Sequence, residues 1–124
     1  MGYFAVLVSL CLAGCGSLLE SVDQDRENKY NAAVSSCGQM QRDSVLWAQC
    51  QTEAENLYWG NGSNPDLLRL RQARRAEIAS RLQRGQITLE QASVELAAMQ
   101  SQIASETSKR QAEAYSASPA SDSR

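Results

Sequence analysis

The chain has 124 residues, with 14 acidic and 12 basic side chains and a formal net charge of −2. That balance is too weak to indicate a nucleic-acid partner, and we expect none. The sequence contains no histidine and no Gly-x-Ser-x-Gly turn, so the usual nucleophile–base arrangements are missing and we expect no catalytic residues and no enzyme. Only two prolines and one phenylalanine occur, whereas alanine, glutamine, leucine, glutamate and arginine are plentiful, which favours helices over strands.

The N-terminal segment is an apolar run followed by small residues. Residues 3–13 are apolar apart from Ser9, a length typical of a signal-peptide core and shorter than the roughly 20 apolar residues that span a membrane. The run ends in Leu12-Ala13-Gly14-Cys15. This tetrapeptide resembles the lipobox of bacterial lipoproteins, in which a branched residue and two small residues precede a cysteine.

The resemblance implies that residues 1–14 are a lipoprotein signal peptide, removed by cleavage just before Cys15. The Cys15 thiol would receive a diacylglycerol and the new amine a further acyl chain such as palmitate; no other cofactor is expected. Gly16 follows the cysteine where an aspartate would retain a Gram-negative lipoprotein in the inner membrane. The resemblance therefore implies an outer-membrane location, or the outer face of the plasma membrane in a Gram-positive cell. Residues 1–4 lack lysine and arginine, so either the amine of Met1 supplies the usual positive charge or the true start lies upstream.

Two further cysteines, Cys37 and Cys50, remain after Cys11 leaves with the leader. An even pair in a small exported chain indicates one disulfide, with two reduced buried cysteines as the alternative. Two cysteines without histidine do not make a metal site, which needs about four ligands. Thirteen residues along a straight helix span ~20 Å, whereas a disulfide needs α-carbons within ~7 Å. A bonded pair therefore requires the chain to reverse near residues 38–42.

Apolar periodicity and end signals predict an all-α domain of two helical hairpins, residues 22–59 and 65–106, preceded by a lipidated tether at 15–21. In the first hairpin, a helix at 22–37 is followed by one at 43–58, capped by Asp43 or Ser44. Glycine, asparagine and proline at 59–65 break the helix and start the next, which runs to about residue 84 and ends at Gly85. Thr88 and Gln91 form a capping box for the fourth helix. Residues 107–124 are rich in serine and alanine, and we expect them to be disordered.

The second helix carries an apolar stripe of Leu46, Cys50, Ala54 and Leu57.

The fourth helix carries a narrow apolar seam with steps of three and four residues, typical of packing on another helix. Either the seam closes the monomer or it recruits a protein partner. Its residues are Leu89, Ala92, Leu96, Met99 and Ile103.

Six of the chain's ten arginines lie between residues 66 and 85, where the net charge is +4, after an acidic segment at 15–65 with net charge −4. They are candidates, together with Trp59, for a surface that binds anionic lipid headgroups or an acidic partner. Alternatively they pair with the protein's own acids, which the acidic first hairpin favours. The arginines are Arg69, Arg71, Arg74, Arg75, Arg81 and Arg84.

Together these features predict a lipid-anchored bacterial cell-envelope protein that acts as a structural or interaction component, such as an accessory or assembly factor. The alternative is an inhibitor of a periplasmic or invading enzyme such as a lysozyme. That role requires a rigid exposed loop, for which residues 58–64 qualify. A cell-wall tether resembling the small major lipoprotein is disfavoured, because that family ends in lysine and this chain ends in Arg124.

Overall fold

A computed structural model of the protein describes residues 17–118. This part of the chain forms four helices, α1 (Ser17–Ser35), α2 (Ser44–Trp59), α3 (Pro65–Gln83) and α4 (Leu89–Ala117), and contains no strand. The all-α class and the two predicted hairpins are confirmed. The leader, the lipobox with Cys15, and residues 119–124 lie outside the described residues.

Local side-chain chemistry sets most helix ends where the sequence predicts them. The Oδ1 atom of Asp43 accepts a hydrogen bond from the backbone N–H of Leu46 at 3.0 Å, which caps α2. At the start of α4, the N–H of Gln91 donates to the Thr88 hydroxyl and the N–H of Thr88 donates to the Gln91 side chain, which is the predicted capping box. Gly85 follows α3 with φ +70°, a left-handed conformation that glycine adopts without steric cost.

The start of α3 differs in detail from the predicted cap. Asn64 occupies the cap position and Pro65 the first helical position, but the Asn64 side chain makes no capping hydrogen bond. Its Oδ1 atom instead accepts from the Arg110 guanidinium on α4, at 3.4 Å. A tertiary contact therefore replaces the local one at this helix end.

Backbone packing within residues 17–118 occurs only between consecutive helices: α1 on α2, α2 on α3, and α3 on α4. Each pair is antiparallel. The disulfide joins Cys37, two residues after the end of α1, to Cys50 of α2 near one end of this helix pair, and the rings of Tyr30 and Trp59 meet near the other. The structure is thus an open array of three antiparallel helix pairs, in which α1 and α4 do not pack on each other.

The register of α3 on α4 follows from two ion pairs. Arg81 pairs with Glu95, and Arg110 pairs with Asp66 at 2.8 Å. These contacts are 15 residues apart on both helices, so the two helices stay aligned over about four turns. Residues 111–117 of α4 therefore project about 10 Å past the start of α3.

Two helices are longer than the sequence predicts, and both extensions lie at the end of the array that holds the α2–α3 turn. α1 begins at Ser17, so residues 17–21 of the expected tether are helical; no glycine or proline follows Gly16 until Gly38. α4 continues to Ala117, so the expected disorder from residue 107 is wrong up to that point. Up to residue 110 the extension has a tertiary support, since Arg110 bonds to Asp66 on α3, and a local one, since it also bonds to Glu106 on its own helix.

The buried core follows the apolar stripe predicted for α2 only in part, because Ala54 is buried and Cys50 half-buried but both leucines are exposed. Leu46 and Leu57 are 60% and 74% exposed, whereas Ala48 and Ala54 are buried. α2 lies between α1 and α3, and its small residues allow both neighbours to approach closely. On α3 and α4 the larger core residues are Leu67, Ile78 and Met99.

Candidate functional site

A cleft of about 360 Å³ opens between α1 and α4, above α3, at the end of the array where α1 and α4 project. We call it the α1–α4 cleft. It exists because these two helices flank α3 without packing on each other. Its lining residues are Tyr30, Trp59, Gly62, Ser63, Asn64, Leu67, Leu68, Arg71, Ile103 and Thr107.

One wall of the cleft is aromatic. The Tyr30 and Trp59 rings meet edge to face with centroids 6.0 Å apart, a favourable geometry for an aromatic pair. The Arg26 guanidinium lies 5.7 Å from the centroid of the Trp59 ring, within cation–π range. Trp59 is half-buried in this stack, so it belongs to the wall of the cleft and does not protrude from the turn.

Behind this wall lies a buried ion pair. Arg75 donates from both Nη atoms to the two carboxylate oxygens of Glu55, at 2.8 and 2.7 Å. The same guanidinium donates to the Gln51 and Thr52 side chains, each at 3.3 Å. This network joins α2 to α3 at a point where water has little access.

Arg71, one turn before Arg75, also approaches this carboxylate. Its Nε atom lies 3.2 Å from Oε1 of Glu55, and that buried atom has no hydrogen-bond partner among the described residues. The side chain is 30% exposed and lines the cleft. One carboxylate therefore faces two guanidinium groups, and the excess positive charge lies at the floor of the cleft.

The charges also affect Tyr30. Burial raises the pKa of the Tyr30 hydroxyl above its ordinary 10.0, and the Glu55 carboxylate adds to the rise, while Arg71 and Arg75 oppose it. The phenol is therefore neutral over the physiological range and can act as a hydrogen-bond donor at the cleft.

The six arginines of α3 do not form one surface. Arg75 is buried and belongs to the Glu55 network, so its inclusion in an exposed interaction surface was wrong. Arg81 pairs with Glu95 on α4 and lies 3.7 Å from Glu77. The exposed arginines of this segment are Arg69, Arg74 and Arg84.

The seam of α4 is turned inward. Ala92 is fully buried and Met99 is 6% exposed, in the helix pair that α4 forms with α3. Leu89 and Leu96 are half-buried, and so is Ile103, which lines the α1–α4 cleft. The buried part of the seam therefore packs within the chain, Ile103 lies at the cleft, and recruitment of a protein partner stays a prediction.

Sequence reasoning overlooked Glu55 and Tyr30. Arg71 and Arg75, spaced four residues apart on the same face as Leu67 and Ile78, were the available signal. Arginines on an apolar helix face are buried on folding, so they need an acidic side chain opposite them to pair with. The predicted disulfide between Cys37 and Cys50 is formed.

No helix among residues 17–118 is long and apolar enough to cross a membrane. The same residues contain no group of three or more acidic, cysteine or histidine side chains arranged to hold a metal ion.

In comparisons with known proteins, no family model, no curated protein and no solved structure matches this chain.

Proposed function

We propose that the protein is a lipid-anchored component of a bacterial cell envelope, attached through Cys15, and that it acts as an accessory or assembly subunit. The α1–α4 cleft is its partner-binding site. The cleft is the observation that carries the proposal, because it combines half-buried aromatic rings, an incompletely paired guanidinium and a gap between two helices. Concave, mainly apolar surfaces with a few placed polar groups are typical of binding sites.

The anchoring half of the proposal rests on Leu12-Ala13-Gly14-Cys15 and on the disulfide. A bond between Cys37 and Cys50 is in keeping with an oxidising compartment such as the periplasm. Only Gly16 separates Cys15 from the first residue of α1. A lipidated Cys15 would therefore hold the helical array close to the bilayer, at the same end as the cleft.

Metabolic labelling with an alkyne-tagged palmitate tests the anchor. We expect the label on the wild-type protein and on Cys11→Ser, because Cys11 lies within the leader and is discarded. Cys15→Ser should carry no label and should leave the membrane fraction. Equal labelling of Cys15→Ser and the wild type would refute the anchor.

Site-specific photo-crosslinking in the host tests the binding site. A photo-reactive residue at Thr107 lines the cleft, whereas one at Val94 is exposed on the opposite face of α4 and serves as the matched control. We expect a defined crosslinked product from position 107, none from position 94, and loss of the product when Trp59→Ala is added. Products of equal yield from both positions would contradict the proposal.

The alternative hypothesis, an enzyme inhibitor, has less support than the accessory or assembly role. It requires a protruding anchor side chain in residues 58–64, but Trp59 packs against Tyr30 and Arg26 and Tyr58 is half-buried. Measuring lysozyme activity in the presence of the purified protein tests it, and we expect no inhibition.

A further inference from the structure

We propose that the α1–α4 cleft recognises a ligand with an apolar body and one carboxylate group, and that the Arg71 guanidinium binds the carboxylate. The proposal deepens the proposed function by naming the ligand chemistry of the same cleft. Such a group is found on a small aryl or alkyl acid and on the C-terminus of a peptide.

The charge balance at the floor of the cleft points to an anion. Both carboxylate oxygens of Glu55 already accept hydrogen bonds from Arg75. Arg71 is left with one contact at 3.2 Å, through a nitrogen that makes no hydrogen bond within the described residues. The Arg71 side chain is only partly buried, and a carboxylate from outside can pair with the part of its guanidinium that reaches the cleft.

The other charges around the cleft do not supply that anion. Asp66 and Glu106 are both engaged by Arg110, and their side chains are 55% and 40% exposed, so solvent screens them. Arg26 lies over Trp59 but does not line the cleft, and because it is exposed its charge is also screened by solvent. Within the described residues, the floor of the cleft therefore favours an acid over a base.

The walls define the rest of the ligand. The Tyr30 and Trp59 rings form one side, Ile103 the other, and Leu67 and Leu68 lie beside Arg71. These surfaces favour a flat or branched apolar group. The Thr107 hydroxyl already donates to the backbone carbonyl of Ile103 at 2.8 Å, so it can only accept a further hydrogen bond. A volume of about 360 Å³ falls at the lower end of the range for small-molecule sites, roughly 300–1,000 Å³.

Trp59 gives a direct readout of binding. The full-length chain is prepared in nanodiscs of zwitterionic phosphatidylcholine, carrying Trp47→Phe so that only Trp59 fluoresces. It is titrated with 4-phenylbutyrate and with its neutral counterpart, 4-phenylbutanol. Should Trp47→Phe impair folding, the difference in fluorescence between the wild-type chain and Trp59→Phe isolates the same signal.

We expect 4-phenylbutyrate to bind about tenfold more tightly than the alcohol, because a hydrogen bond to a charged group is worth about a factor of ten or more. Arg71→Gln should remove that preference. It should lower the affinity for 4-phenylbutyrate about tenfold and leave the affinity for the alcohol unchanged within about a factor of two. Arg74→Gln, an exposed arginine on the same helix, is the matched control and should change neither affinity. The peptide N-acetyl-Ala-Ala-Phe and its C-terminal amide form a second arm. Tighter binding of the peptide acid than of 4-phenylbutyrate identifies a chain terminus as the source, and the reverse order identifies a small acid.

Three results would overturn the proposal: no saturable change in Trp59 fluorescence with either acid up to about 10 mM, equal affinities for the acid and the alcohol, or equal weakening of both by Arg71→Gln. None of these affects the labelling of Cys15 or the crosslinking from position 107. Failure of the ligand assignment is therefore distinguishable from failure of the proposed function.

Discussion

Glu55 and Arg75 form a bidentate ion pair inside the protein, with side chains 1% and 5% exposed. The pair connects α2 to α3 directly behind the Tyr30–Trp59 wall of the cleft. Removing two charges from water is costly, and in this pair the cost is offset by two direct hydrogen bonds together with those to Gln51 and Thr52. The pair therefore fixes the relative position of the helices that carry the cleft.

Breaking this pair should destabilise the fold strongly. We expect Arg75→Met to lower the free energy of unfolding by about 3–5 kcal/mol, because Glu55 is left buried and without its main partner. The double variant Glu55→Leu, Arg75→Met should recover much of the lost free energy of unfolding, because it leaves no unpaired buried charge from this pair. Urea unfolding followed by circular dichroism measures both. Glu53→Gln, an exposed neighbour, is the control and should stay within about 0.5 kcal/mol of the wild type. A double variant as unstable as Arg75→Met would contradict this account.

Loss of the disulfide should affect α1 more than the other helices. Within residues 17–118, α1 packs its backbone only on α2, and every described residue from Val22 to Lys29 is exposed. Cys37→Ala with Cys50→Ala should lower the free energy of unfolding by about 3 kcal/mol through loss of the loop constraint. Hydrogen exchange should show residues 22–35 losing protection first, while residues 67–82 and 89–103 keep theirs. Uniform loss of protection across all four helices would show that α1 is part of a single cooperative unit.

A feature of this structure was predictable from the sequence when the interactions that produce it join residues close together in the chain. Asp43, Gly85 and the Thr88–Gln91 box act within a few residues, so the helix ends they set follow from the sequence alone. The disulfide was predictable from the even number of cysteines left after the expected leader. Given that bond, the geometry of a straight helix requires the chain to reverse between Cys37 and Cys50.

The misjudged features depend on partners distant in the chain. α4 continues past residue 107 onto α3, where Arg110 reaches Asp66, 44 residues away. The predicted α2 stripe is wrong at Leu46 and Leu57 because helices pack on both sides of α2 and bury its small residues instead. The cleft was not predictable for the same reason, since it is a gap between helices that are far apart in sequence. Trp59 was identified as a candidate, but its surroundings were not.

The inward orientation of the α4 seam can be tested by truncating a buried and an exposed side chain on the same helix. Met99 is 6% exposed, and Met99→Ala should lower the free energy of unfolding by about 2–5 kcal/mol, because it removes buried apolar atoms and leaves a cavity. Val94 is 64% exposed, and Val94→Ala should change stability by less than about 0.5 kcal/mol. Thermal unfolding of the two variants gives the comparison. If Met99→Ala is as stable as the wild type but loses a crosslinked partner, the seam is an intermolecular surface after all.

The Asp66–Arg110 pair should give stability a dependence on acid pH. Hydrogen bonds from Arg110 lower the pKa of the Asp66 carboxyl to about 2, below its ordinary 3.8. A depressed pKa in the folded state favours the ionised form, so the contribution is complete above about pH 4 and disappears as the pH falls through 2. The melting temperature of Asp66→Asn should therefore lie below that of the wild type at pH 6 and approach it as the pH falls from 4 to 2. Because Asp66 is exposed, salt should shrink the difference at pH 6. The reverse trend, with the gap widening in acid, would show that the ion pair does not stabilise this end of α4.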